Sequence, residues 1–414
     1  MGTWLQLPSI QIQNMQQPLN LQLKRIESID ILRGLVMIIM ALDHVRDYFH
    51  IAANVDNPLN LATTTPELYF TRWITHFCAP IFVFLSGTSI YLQSLRKTKN
   101  ALAAFLIKRG LWLIFVEIVI IALAWTFNPS YNFIPLQVIW AIGISMVILG
   151  LIIRLPFNFI LILGLLIVIG HNLLDIPESA AGFKPSFWWD LLHSARFTSY
   201  SFAKDHAVII AYPFLPWAGL MMLGYCAGKF FAPQFYPEQR KKILILSGIG
   251  LIVLFVIVRI TNDYGDPADW AAQKNSFYTF LSFLNVNKYP PSLLYMCITI
   301  GPALLFLAMM EKIKNGFTNF LGIYGRVAFF YYILHIYLVH LLSAIGFFTR
   351  GHSMEEASKT GNVFPFYFLT PGEGYNLAVV YGVWLLVIII LYPLCKWYDQ
   401  YKTSHKEKWW LSYL

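Results

Sequence analysis

"DILRGLVMIIMALDHVRDYFH", residues 30–50, sets five acidic or basic residues and two histidines into a stretch that otherwise reads as a membrane-spanning helix. Asp30, Arg33, Asp43, His44, Arg46, Asp47 and His50 are costly in hydrocarbon, so the helix must turn most of them toward protein or water. Arg33 and His44 are 11 positions apart, which at 100° per residue leaves them about 20° apart on one face. Asp30 and Asp47 flank that face, and Asp43 lies further round. Arg46 falls nearly opposite and is expected to snorkel to the outer interface.

The rest of the chain places this helix in a membrane. Of 414 residues, 57% are hydrophobic and 12% charged, and the mean hydropathy is +0.58, outside the range of soluble domains. Runs of about 20 apolar residues predict an all-α polytopic transmembrane bundle of about ten spans. They lie near 29–50, 70–93, 101–125, 135–153, 157–172, 208–230, 243–262, 291–310, 327–347 and 376–396. Basic residues recur in alternate connections: Lys24 and Arg25, then Arg96, Lys97 and Lys99, then Arg154, then Arg240 to Lys242, then Lys312 and Lys314, then Lys402 to Lys408. By the positive-inside rule both termini are cytoplasmic. The chain divides into a cytoplasmic segment 1–24, a transmembrane domain 25–400 and a basic-aromatic tail 401–414. Residues 1–24 lack the apolar core of a signal peptide, so the first span is expected to act as an uncleaved membrane signal.

The net charge of +9 sits in short clusters between apolar runs, which topology explains without nucleic acid. Each of the four cysteines stands alone in or beside a separate apolar run, so no disulfide or metal-ligand spacing is visible. With no HxxxH or HExxH, no metal is expected. The outer connections 173–207, 263–290 and 348–375 are long. Trp188, Trp189, Asp190, His193, Asp266, Trp270 and Tyr289 there suit sugar faces and hydroxyls, or equally an interfacial aromatic belt.

Depth divides the roles along the first helix. If it enters near Ile29, Arg33 lies close to the cytosolic surface and His44 roughly 22 Å in, in the outer third. Asp30 and Arg33 have the spacing of a structural clamp, with a ligand role weighted above it. A histidine at the depth of His44 serves as proton relay, general base or structural donor. His76, His335 and His340 fall at compatible depths with His50 nearby, and hydrogen-bonded packing is an equal reading for each of the first three. Glu117, the carboxylate deep in the third span, must be protonated or paired, with Arg33 or a histidine as candidate partner.

"RIESIDILRGLVMIIMALDHVRDYF" and the following "FTRWITHFCAPIFVFLSGTSIYL" resemble the opening of the heparan-alpha-glucosaminide N-acetyltransferase catalytic-domain family, including its bacterial membrane members. "NKYPPSLLYMCITIGPALLFLAMME", "YGRVAFFYYILHIYLVHLL" and "LYPLCKWYDQYKTSHKEKWWLSYL" resemble later segments of those members. The arginine–histidine spacing is also similar to that of the more distant acyltransferase-3 type membrane enzymes. The resemblance implies a cytosolic acetyl-CoA donor, a carbohydrate acceptor on the other side of the bilayer, and a bacterial inner-membrane location. Arg33, with Asp30, Arg25 and Lys24, is then assigned to the donor. His44 becomes the general base, with Asp43 or Asp47 holding its tautomer, and an acyl-histidine route stays open. His50, His76, His335, His340 and Glu117 are substrate-side candidates. In the lysosomal members asparagine stands at the position matching His44, so the acceptor stays open, as does a homo-oligomeric state. The competing readings are a proton-coupled transporter using Asp43, His44, Asp47 and Glu117, and a silent scaffold. The lack of a visible internal repeat weighs against the transporter.

Overall fold

The computed structural model describes residues 25–194, 196–363 and 366–412; Lys24 and the rest of segment 1–24 lie outside them. The chain opens with α1 (Glu27–Phe49), followed by α2 (Pro66–Ile74) and α3 (Cys78–Ser94). Thr65 starts α2 by accepting the Leu68 amide, and Pro66 fits the first turn, where no amide is needed. Next come α4 (Lys99–Val116), a π-helical stretch Glu117–Ile121, and α5 (Ala122–Thr126). Strand β1 (Phe133–Leu136) leads into α6 (Val138–Ile152) and α7 (Phe157–Gly170). The long connection after α7 carries α8 (Asp175–Ser179), α9 (Phe187–Leu192), β2 (Ser199–Ala203) and β3 (His206–Ile210). Then follow α10 (Phe214–Ala227), α11 (Pro237–Thr261), α12 (Ser276–Leu284), α13 (Leu293–Met310) and α14 (Gly316–Arg326). The last helices are α15 (Ala328–Thr349), α16 (Met354–Val363) and α17 (Leu377–Ser404).

Helix occurs in each of the ten expected segments, and six helical stretches are long and apolar enough to cross a membrane: 66–94, 157–179, 237–261, 293–310, 328–349 and 377–404. The chain is a multi-pass membrane protein. Helix α1 is absent from that set because of its charges, and its surroundings explain how it carries them. It packs against α3, α13, α14, α15 and α17, so protein surrounds it on several sides. The small sheet, in order β1-β3-β2, departs from the all-α expectation. Strand β1 runs parallel to β3 and β2 antiparallel to it. "FIPL" and "HAVII" are short apolar runs that periodicity alone cannot assign to helix or strand.

Close helix contacts set the position of α1. A Cβ on Gly34 would sit 1.8 Å from the carbonyl oxygen of Leu321, and one on Gly325 would sit 1.8 Å from that of Asp30. Backbone therefore meets backbone between α1 and α14, a packing mode that small residues permit in membranes. Gly110 and Gly143 give α4 and α6 the same close approach.

Candidate active site

Cavities open toward both ends of α1. Toward Arg33, a cavity of about 840 Å³ is lined, among the described residues, by seven basic side chains (Arg33, Lys97, Arg109, Arg326, Lys402, Lys406 and Lys408) and no acidic one. Along α1 its wall passes from Arg33 through Met37 to Met40, about 10 Å further along the helix. Charge thus gives way to apolar surface toward the middle of the molecule. Arg33 is held by Asp30 Oδ1 at 3.3 Å, Ser89 Oγ at 3.1 Å and the Gly325 carbonyl at 3.5 Å. Arg25 bonds the same Asp30 carboxylate from behind. The Arg326 charge is already matched, since its guanidinium bonds both Asp399 oxygens at 2.7–2.9 Å.

In the middle lies a chamber of about 70 Å³ lined by His44. It shares Met40, Phe82, Val138 and Tyr332 with the basic cavity. It shares Asp43, Asp47, Trp125, Gln137, Tyr212, Lys288 and Tyr289 with a third space, of about 670 Å³, at the Asp47 end. His44 therefore stands at the narrow place between two larger cavities. Gln137 and Val138 are set there by Glu117, whose carboxylate accepts the amides of Gln137 and Trp140 at 3.1 Å and caps the start of α6.

The hydrogen-bond network assigns the tautomers of a histidine pair. His335 Nδ1 lies 3.0 Å from the Tyr331 carbonyl oxygen, and because a carbonyl only accepts, this nitrogen carries the proton. In the neutral ring Nε2 must then accept, and His44 Nδ1 reaches it at 2.7 Å. His44 accordingly donates from Nδ1 and keeps a lone pair on Nε2, which no described residue engages. The two rings are nearly parallel, 11° between planes, and the Trp125 ring packs edge-on to His44 at 4.8 Å. Both histidines are buried, so the ring is held in one orientation.

On the Asp47 side, most charge is matched locally. Asp43 accepts from Arg72 at 2.8 and 3.1 Å and pairs with Arg46 at 3.0 Å, while Asp47 pairs with Arg46. Lys288 is buried and pairs with no carboxylate among the described residues; its ammonium faces Tyr289, 5.1 Å from the centre of the ring. Burial alone would push the Tyr289 phenol up, but Lys288 and Arg72 outweigh it and hold it below its ordinary value.

Several sequence expectations are corrected by these positions. Arg46 does not snorkel: it is 5% exposed, because its guanidinium pairs with Asp43 and Asp47 of its own helix and lines the cavity at the Asp47 end. Neither Asp43 nor Asp47 hydrogen-bonds His44; arginines engage both, and His335 orients the ring instead. Glu117 pairs with backbone amides rather than with Arg33 or a histidine. Asp30 and Arg25 line a smaller neighbouring cavity and reach the basic one only through Arg33. His50 accepts the Ala52 amide at the end of α1 and lines neither large cavity.

The remaining histidines separate. His340 lies 2.9 Å from the carbonyl oxygens of both Ala124 and Tyr367, and ties the 366–369 loop to α5. His76 lines the cavity at the Asp47 end, packed edge-on against Tyr295 with neither ring nitrogen hydrogen-bonded. Among the described residues, Asp175, Glu178 and His193 have spacing suited to a metal, but they line neither large cavity nor the chamber. Trp189 and His193 already bond the Glu178 carboxylate there, at 2.7 and 2.8 Å. Sequence reasoning missed Lys288, Arg72 and Gln137. Lys288 follows Asn287 in an outer connection, Arg72 stands at the start of an apolar run and Gln137 interrupts one, and none carries a local signal to set it apart from a topological charge or a cap.

The family profile described as heparan-alpha-glucosaminide N-acetyltransferase, catalytic, matches residues 25–258. That range holds Arg33, His44 and Glu117 and ends before Lys288 and His335. No curated protein matches the chain.

Proposed function

We propose, for a chain that belongs to the heparan-alpha-glucosaminide N-acetyltransferase catalytic-domain family, a membrane-embedded enzyme that moves an acetyl group from cytosolic acetyl-CoA to a hydroxyl or amine of an extracytoplasmic carbohydrate. The observation that carries this reading is the position of His44, in a chamber walled jointly by a basic cavity and a second polar cavity. A reaction whose two substrates enter from opposite sides needs such a meeting point. Ten spans with both termini cytoplasmic, in a bacterial inner membrane, set the basic cavity on the cytosolic side by the positive-inside rule.

Coenzyme A is a polyanion with a long, weakly polar arm. A cavity of about 840 Å³ is within the size of ligand pockets, roughly 300–1,000 Å³. Its basic side chains other than the Asp399-paired Arg326 suit the phosphates through charge-assisted hydrogen bonds, and its apolar inner wall suits the arm. Arg33 is the principal phosphate ligand, with its side chain preset by Asp30 and Ser89 and with Arg25 supporting Asp30; Lys24, which lies outside the described residues, is proposed as a further donor ligand. At the chamber, His44 Nε2 takes the acceptor proton as the new bond to the acyl carbon forms. The proton then passes to the departing thiolate, so His44 ends as it began. His335 holds the productive tautomer, and Asp43 and Asp47 shape the field on the acceptor side. The lone pair that abstracts a proton could instead attack the thioester, and a trapped acyl-enzyme would substitute that route for direct transfer.

Purified protein given acetyl-labelled CoA and a mixed glycan extract is expected to transfer label, and His44→Ala to abolish transfer while expression is retained. Absence of transfer to any acceptor, with proton-dependent solute uptake, would replace this reading with a proton-coupled transporter.

A further inference from the structure

We propose that Lys288 is the oxyanion-binding catalytic residue of this site, its ammonium stabilising the negative charge that develops on the thioester carbonyl oxygen as the acceptor attacks. The inference rests on the acyl-transfer reading and adds to it a residue outside the range matched by the family profile.

Three observations converge on Lys288. It lines the same chamber of about 70 Å³ as His44, a space worth about two water molecules. A carbonyl presented in that chamber to a nucleophile activated at His44 Nε2 occupies a space that Lys288 also lines. Among the charged residues of that chamber, Asp43 and Asp47 are in ion pairs with Arg72 and Arg46, whereas the Lys288 ammonium pairs with no carboxylate among the described residues and bears instead on Tyr289, whose phenol it helps hold below its ordinary value. A buried cation whose near partner is a phenol rather than a carboxylate keeps positive charge to offer a developing oxyanion.

The backbone around Lys288 is also held firmly. Arg259 donates to the carbonyls of Ser282, Phe283 and Asn285 at 2.7–3.2 Å. Asp266 accepts from the Asn287 amide at 2.8 Å and from the Ser292 hydroxyl at 2.6 Å. Lys288 thus sits between two fixed points, as a preorganised charge requires.

In the step itself the acceptor oxygen or nitrogen bonds to the acyl carbon, and the carbonyl π pair moves onto oxygen beside the Lys288 ammonium. The pair returns as the C–S bond breaks. The thiolate leaves with the proton that His44 took from the acceptor.

The test uses full-length protein in lipid nanodiscs and follows free thiol released from acetyl-CoA, with either water or glucosamine as acceptor. Neither acceptor carries a negative charge. For Lys288→Met the expected result is a fall in kcat of about 10²–10³-fold with both acceptors, with KM and binding affinity for acetyl-CoA unchanged, and partial recovery in Lys288→Arg. Unchanged kcat with both acceptors would overturn the assignment, as would a rise in KM for glucosamine alone. A parallel loss of acetyl-CoA binding and thermal stability in both variants would reassign Lys288 to the scaffold. If wild-type protein releases no thiol with any acceptor, the acyl-transfer reading fails, whereas turnover equal in wild type and Lys288→Met sinks only the role of Lys288.

Discussion

The two large cavities handle charge in opposite ways. The one beside Arg33 gathers seven basic side chains and no acidic one, whereas the one beside Asp47 sets Asp43 and Asp47 among Arg46, Arg72 and Lys288. An unbalanced cluster of cations in a concave, partly apolar space favours a polyanion and raises its local concentration. A nearly balanced set cannot bind by net charge and must discriminate by hydrogen bonds and shape. The asymmetry fits a charged donor common to many reactions and an acceptor chosen by its hydroxyls. His44 touches the border between them and is held by a partner 291 positions away.

The strongest way to break this comparison is at the border. His44→Ala is expected to lower acetyl transfer by about 10²–10⁴-fold, measured as label incorporation, with acetyl-CoA affinity by calorimetry unchanged; weakened affinity would mean that the chamber and the basic cavity are not separate functions. On the basic side, Arg33→Ala should raise KM for acetyl-CoA about ten- to a hundred-fold, the cost of removing one charge-assisted hydrogen-bond donor. It should also flatten the dependence of KM on salt, and an unaltered salt slope would remove Arg33 from the donor site. His335→Phe tests the tautomer: kcat should fall about five- to a hundred-fold, the cost of one buried hydrogen bond. His335→Gln should recover part of it, since an amide oxygen can accept from His44 Nδ1. The smallest effect is expected at the chamber wall. Glu117→Gln should lower stability by roughly 1 kcal/mol through the weakened cap on α6, read as a shift in melting temperature, with KM for acetyl-CoA unmoved.

Much of this was legible in one helix. The Arg33–His44 spacing placed two polar groups on one face at different depths, because helix geometry is local and repeats every 3.6 residues. The same periodicity misled for Arg46. It gave the correct angle, but angle does not say whether lipid or protein lies there, and the residues that share a cavity with Arg46, among them Asn54, Asn57 and Asn285 to Tyr289, come from connections elsewhere in the chain. Glu117 was legible as a carboxylate needing a partner. That its partners were two backbone amides could not be read, since amides are the one donor nearly every residue shares. The sheet was missed for a related reason: four or five apolar residues carry too little periodicity to declare a strand.

What the amino-acid sequence determined by itself was the multi-pass helical class, the polar first helix and the presence of Arg33 and His44 on one face, all consequences of composition and short-range geometry. Only the tertiary structure decided which of the candidate histidines meets His44, which charges are neutralised and which is left facing the chamber. Those outcomes depend on the approach of residues as far apart as His44 and His335 or Asp43 and Lys288. Side-chain identity limits what a group can bond, but packing alone selects the partner that reaches it.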